Sequence, residues 1–232
     1  MKTAKTSAAI IASTLLIAGT LTPISAADAA TTPSAASIAR QANAAMARVQ
    51  YAVIKETVTT SKTDRYTANG YVNKDSAYNK ETHPYGSLED LITGSQAYER
   101  ASNDVTSIKL MGLNATQITA LGSDWLTYDM ADFTGSRNGD ATPVPAAGTN
   151  FISTITYIAS PSHLKAIIYK GQKAYRIKAL SLYRSVTITI SKSSHLVLEI
   201  TSPGDVQTFS KYGIKTKAIT APANAKEIDN LG

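Results

Sequence analysis

The residue types that carry most enzyme chemistry are thin on this chain. Cysteine is absent and only three histidines occur, at His83, His163 and His195, too far apart for any ligand spacing to join them. The common metal sites need Cys or His in close repeats, so no metal is expected. Ser162 and Lys165, in "SHLK", have the S-x-x-K spacing of serine acyl-transfer enzymes. They lack that family's partner motifs, and they sit at a strand start after Pro161 rather than at a helix N-terminus. Phosphate-loop, nucleophile-elbow and dinucleotide fingerprints are missing. Glu89 and Asp90 are adjacent, so on a strand they point to opposite faces and make a poor acid–base pair. Glu56 stands apart because alternation places it on the same side as Ile54 and Val58. Either that side faces water, the plainer reading, or a carboxylate enters an apolar cavity. Tyr51, Tyr66, Tyr71, Tyr78, Tyr85 and Tyr98 could stack on bases or sugars, yet tyrosine equally suits the wet rim of a sheet. The expectation is a protein that is not an enzyme, with no catalytic residues, no cofactor and no nucleic-acid partner.

The elements that would position any site are mostly strands. "VTITISKSSHLVLEIT" (residues 186–201) reads as two alternating strands hinged on Ser193-Ser194, with Val186, Ile188 and Ile190 on one face and Leu196, Leu198 and Ile200 on the return. "HLKAIIYKGQKAYRIKAL" is a hairpin about Gly171, and "DVQTFSKYGIKTKAI" is a strand ending at Gly213 with a final short strand. Upstream, Ser34 after Pro33 caps a helix whose stripe is Ile38, Ala42, Ala45, Met46 and Val49. From Tyr51 the period switches to two. Short strands follow around "RYTANGYVN", "SAYNKE", "SLEDLIT" and "QAYERAS", with Asn-Gly, His-Pro and Gly-Ser as turn signals. Residues 103–123 show no clear period, "DWLTYDM" is one more strand, and "NFISTITYIASP" is a short second helix stopped by Pro161. Residues 134–150, rich in Gly, Pro, Asn and Ala, are expected to be a mobile loop within one domain spanning residues 30–232. The fold class is therefore mainly β with some α, a meander of antiparallel strands that closes or half-closes into a barrel.

The first 29 residues read as a cleaved signal peptide: Lys2 and Lys5, an apolar stretch from Ala8 to Leu21, Pro23, and small residues at "ISAADAA". The predicted product is secreted, without a lipid anchor because it has no cysteine, and is a monomer. Its net charge of +6 is spread without a run of Lys and Arg, and would favour contact with an anionic membrane or cell-wall surface.

The order of elements, with the closing phrase "FSKYGIKTKAITAPANAKEI", resembles the LolA/LppX/LprG-type lipid-carrier superfamily of bacterial exported proteins. Tyr212-Gly213, Ala221-Pro222 and Ile228 occupy the places of that group's aromatic-Gly turn, "AP" step and polar tail, and "GSQAYERAS" followed by "DWLTYDM" matches its strand pair with Tyr and Trp. The likeness covers roughly residues 35–228. It implies a strongly curved antiparallel sheet forming a half-open barrel around short helices, with acyl chains on the concave face. On that reading the cavity is lined by Ile54, Val58, Ile168, Tyr175, Ile177, Val186, Ile188, Ile190, Leu198 and Ile200, and the partner is a lipid or other amphiphile. The alternative within the same family is a protein-interaction or sensor module whose core is already filled.

Overall fold

The computed structural model describes residues 33–59, 65–73, 75–129, 151–181 and 184–231. The expected signal peptide and the expected loop at residues 134–150 lie outside the described residues. Helix α1 (Ala35–Met46) starts where Ser34 accepts the Ser37 N–H at 3.1 Å, the usual role of a serine that ends an extended segment. Its buried stripe is Ile38, Ala39, Ala42 and Met46.

The sheet is a curved, open, almost wholly antiparallel array of twelve strands. Two meanders build it. The first runs β1 (Tyr51–Thr59), β2 (Arg65–Asn73), β3 (Ser76–His83), β4 (Gly86–Thr93), β5 (Gln96–Ala101) and β6 (Trp125–Asp129). The second runs β7 (Ala159–Tyr169), β8 (Gln172–Ser181), β9 (Arg184–Ser191), β10 (Val197–Ser202) and β11 (Asp205–Ser210). They join where β1 pairs with β11, from Val53↔Ser210 to Val58↔Asp205. Strand β12 (Ala225–Glu227) adds to β6 in parallel. Lys226 holds that corner, donating to the Ala120 carbonyl at 2.7 Å and pairing with Asp124 at 2.8 Å.

One face of the sheet, here the inner face, carries the helices. At one end α1 and α4 (Phe151–Ile155) lie on it, and Ile38, Ala42 and Met46 pack with Ile177, Ile188, Ile190, Val197 and Phe209. Asn43 fastens α1 in place with two 3.0 Å hydrogen bonds to the backbone of Ile158. At the other end lie α2 (Asp104–Thr106), a π-turn (Ser107–Met111) and α3 (Ala115–Leu121), which bury Met111, Leu113 and Leu121 against Leu88 and Leu126. The outer face carries a smaller cluster of Leu91, Tyr98 and Trp125, covered by Ile219 and Ala225 of the C-terminal segment.

Four local expectations change. Residues 103–123 are mostly helical: α2 is capped by Asn103, and α3 by an Asn114–Gln117 capping box. Asn69-Gly70 is no turn but lies inside β2, where a Cβ on Gly70 would come within 2.7 Å of the Tyr78 carbonyl oxygen; the glycine lets the two backbones approach. Pro161 does not stop α4; it sits in β7, an edge strand with irregular register, where a missing N–H is tolerated. Residues after Gly213 form no strand until β12.

Candidate functional site

Residues directly opposite each other on neighbouring antiparallel strands share a face, so the register fixes what the inner face holds between its two helical ends. One row runs Gln207–Glu56–Ala68–Glu81–Leu88 across β11, β1, β2, β3 and β4. The next runs Phe209–Ile54–Gly70–Asn79–Asp90–Glu99–Leu126. Each row begins and ends in side chains near the apolar clusters, and the middle is a strip of carboxyl and amide groups. Glu56, Glu81, Asp90 and Glu99 are all half-buried there, with Ile54 and Val58 beside them. Two of the smallest residues of the face, Ala68 and Gly70, lie along the strip's centre.

The strip is held by short contacts. Gln207 Nε2 donates to Glu56 Oε1 at 2.8 Å, and the Tyr128 hydroxyl donates to Glu99 Oε1 at 2.6 Å. His83 Nε2 lies 3.0 Å from Glu81 Oε2. The His83 ring stacks with Tyr66 and with Tyr85, centroids 4.5 and 5.2 Å away, and Lys109 Nζ lies over the Tyr85 ring at 4.4 Å. Burial pushes Glu56 from 4.5 up to about 7, against the opposing hydrogen bond from Gln207 and with help from the Asp205 charge. Burial likewise raises Asp90 well above the usual carboxylate range, with Glu81 and Glu99 adding repulsion and Asn79 opposing. Burial also raises Asp205, with the Glu56 hydrogen bond and the Arg184 charge opposing it by favouring the ionised form. Glu56 is thus the member of the pair that keeps its proton toward neutral pH. Asp205 Oδ1 is buried with no hydrogen-bond partner among the described residues.

Chemically, the strip offers oxygen acceptors that call for donor hydrogens. Among the described residues no group of three or more His, Cys, Asp or Glu side chains is arranged to hold a metal ion. Glu89 and Asp90 do point apart: Glu89 is on the outer face with Lys80 at 2.9 Å and Arg100 at 2.6 Å. That screened triad lowers the Glu89 pKa despite burial.

The sequence-derived cavity residues fall into three groups. Ile177, Val186, Ile188, Ile190 and Ile200 belong to the core beneath α1, and Ile177, Ile188 and Ile190 are completely buried. Tyr175, Ile54 and Val58 are half-buried on the same inner face, and Leu198 sits in a bulge of β10 between Val197 and Glu199. Ile168 departs from the expected covered face: it stands opposite Lys173 near the tip of the β7–β8 hairpin and is 67% exposed. Glu56 reverses the plainer reading, since its side of β1 is the inner one. His83 is buried. Glu81, Glu99 and Asp205 were not singled out from the sequence, and Asp90 was weighed only as a poor acid–base partner of Glu89. The signal existed for Asp90, because the alternation of β4 puts it with Leu88 and Ile92.

No protein-family model matches the chain, and no curated protein does. Among solved structures, the complex of Pseudomonas aeruginosa MucA and MucB aligns over 85% of this chain and 60% of that one, at 10% identity and a TM-score of 0.38. A DUF1329 family protein from Desulfovibrio piger aligns over 80% of this chain and 96% of its own, at 10% identity and TM-score 0.30. PNGF-II aligns over 77% of this chain but only 31% of its own, at 8% identity and TM-score 0.32. The chain thus spans about a third of PNGF-II and about three-fifths of the MucB structure. Nothing about the site follows from likenesses this remote.

Proposed function

We propose that this chain is an exported, non-catalytic binding protein of LolA-like architecture that receives an amphiphile on the inner face of its sheet. The observation that supports this reading is the division of that face. Its two ends are sealed by helices, while the row between them is half-open and pairs apolar side chains, Ile54, Val58 and Ile92, with carboxyl acceptors, Glu56, Asp90 and Glu99. A surface that is apolar along one line and acceptor-rich along the next suits a molecule with an apolar body and a donor-bearing head. Because the acceptors are carboxyls and one oxygen of Asp205 is unsatisfied, the head carries hydroxyl or ammonium groups. A carboxylate or phosphate head would add to the repulsion that Glu81 and Glu99 already exert on Asp90.

The apolar body lies along the open row and not beneath α1, whose contacts leave Ile177, Ile188 and Ile190 no free surface. Each methylene removed from water contributes about 0.8 kcal/mol, so roughly ten of them, fully covered, reach the ~8 kcal/mol of micromolar binding before the cost of association. The direct test is calorimetric titration with three ligands sharing one alkyl chain: dodecylamine, dodecyl maltoside and dodecanoate, each below its micelle concentration. The amine or the sugar-headed ligand binds saturably, and Asp90→Asn weakens the amine. Preferential binding of dodecanoate, or binding of none, overturns the reading. The sealed core beneath α1 supports a second reading, a protein-interaction module of the same fold. It predicts a protein partner and no small ligand.

A further inference from the structure

The charge that looks scattered along the sequence is gathered by the fold. From Ala159 to Leu198 the chain carries seven basic residues and no acidic one, and this stretch forms β7, β8 and β9 at one edge of the sheet. Lys165, Lys170, Lys173, Arg176, Lys178 and Arg184 are exposed along it. The carboxylates of the inner strip lie on the other meander and on β11, away from the β7–β8 hairpin tip; Arg184, at the opposite end of β9, is the basic residue whose charge reaches Asp205.

The tip of the β7–β8 hairpin concentrates the effect. Lys170 and Gly171 both take left-handed backbone angles, φ 46° and 82°, the tight two-residue turn that suits the sheet's twist. Beside it Ile168, 67% exposed, faces Lys173 across the hairpin. Lys170 Nζ lies 5.0 Å from the Tyr169 ring centre, and Lys192 Nζ lies 4.6 Å from that of Tyr175. The backbone N–H of Lys192 donates to the Lys173 carbonyl at 3.1 Å, which ties the β9–β10 turn to the same tip. The Tyr169 hydroxyl donates to Glu199 at 2.9 Å, engaging the carboxylate that follows the basic stretch.

We infer that this hairpin tip is a docking surface for a bilayer containing anionic phospholipid, with Ile168 entering the interface and Lys170, Lys173 and Lys192 set against the head groups. Charge complementarity alone would admit any polyanion. The exposed isoleucine between cations decides for lipid, because a soluble polyanion leaves Ile168 in water whereas a membrane interface buries it. The surface is separate from the inner strip, and its test does not depend on what the strip binds.

The test is co-sedimentation of the full chain with vesicles of phosphatidylcholine, with and without one part in three of phosphatidylglycerol, at low and high salt. Binding is expected only with phosphatidylglycerol, and it weakens as salt rises. Each lysine near an anionic surface is worth about fivefold in affinity, so Lys170→Gln with Lys173→Gln lowers binding roughly twenty-five-fold. Ile168→Ser weakens it with the salt dependence unchanged. The control pair Lys215→Gln with Lys217→Gln, equally exposed but in the C-terminal segment, has a clearly smaller effect. Thermal melts of each variant separate loss of the surface from loss of the fold. Equal binding to neutral vesicles, no binding, self-association through the tip in place of vesicle binding, or equal effects of the two lysine pairs would each overturn the inference.

Discussion

Replacing Glu56 with glutamine removes a charge that the folded chain accommodates poorly, and the effect has a sign that depends on pH. The folded-state carboxyl titrates near 7 against an ordinary 4.5, chiefly because it is buried. Each tenfold change in acidity is worth about 1.4 kcal/mol, which makes the difference about 3 kcal/mol. Below pH 4.5 the group is protonated in both folded and unfolded chains and contributes nothing to pH dependence. Between 4.5 and 7 the unfolded chain releases its proton first, so folding stability falls as pH rises. Above 7 the loss is complete. Glutamine is neutral throughout, has nearly the same shape, and its carbonyl can still accept the 2.8 Å hydrogen bond from Gln207. Glu56→Gln therefore leaves stability close to wild type at pH 4.5 and raises it by about 3 kcal/mol at pH 8. For a chain of this size that is roughly 6–12 °C in Tm. Asp90 and Asp205 also have raised pKa values and steepen the wild-type curve, so the readout is the difference between the two proteins in urea melts across pH 4.5–8.5. A variant destabilised equally at both ends, or a difference that does not grow between pH 4.5 and 7, refutes the placement of Glu56 as a buried, largely protonated member of the strip.

Ile188→Ala, at a side chain with no exposed surface, costs about 2–5 kcal/mol, whereas Ile168→Ala, at the exposed hairpin tip, stays within about 0.5 kcal/mol; paired chemical denaturation curves decide it. Gly70→Ala sets a Cβ 2.7 Å from the Tyr78 carbonyl oxygen and lowers stability by about 1–3 kcal/mol, read in the same melts. Asn114→Ala removes the arm of the α3 capping box in which the Asn114 side chain accepts the Gln117 N–H and costs about 1 kcal/mol, with hydrogen exchange rising first at the amides of residues 115–118.

Alternation made most of the strands legible, because a strand with one covered face writes its pattern locally. The switch from a period of three and four to a period of two at Tyr51 is visible in the sequence, and β1 begins there. Three things were not written locally. The parallel pairing of β12 with β6 joins segments separated by nearly half the chain, and no short-range pattern encodes it. The helices over residues 104–121 are too short for a periodic stripe, although Asn114 and Gln117 carried the capping signature. Alternation also says which residues share a face but not which face is covered. It grouped Glu56 with Ile54 and Val58 correctly, and only the position of the helices shows that this side is the inner one. For the same reason Ile188 and Ile168 look alike in sequence, yet one is sealed beneath α1 and the other projects beyond the edge of the covered area. The carboxyl strip itself arises from register across six strands, a property of the assembled sheet.

The most direct test of amphiphile binding on the inner face is native mass spectrometry of the purified protein, followed by organic extraction and analysis of whatever is released. Amphiphile binding gives a one-to-one adduct that extracts into solvent, carries a hydroxyl- or ammonium-bearing head, and is lost on denaturation. A bare mass that gains no adduct when alkyl amines and alkyl sugars are titrated in would contradict it and leave the inner face as plain core.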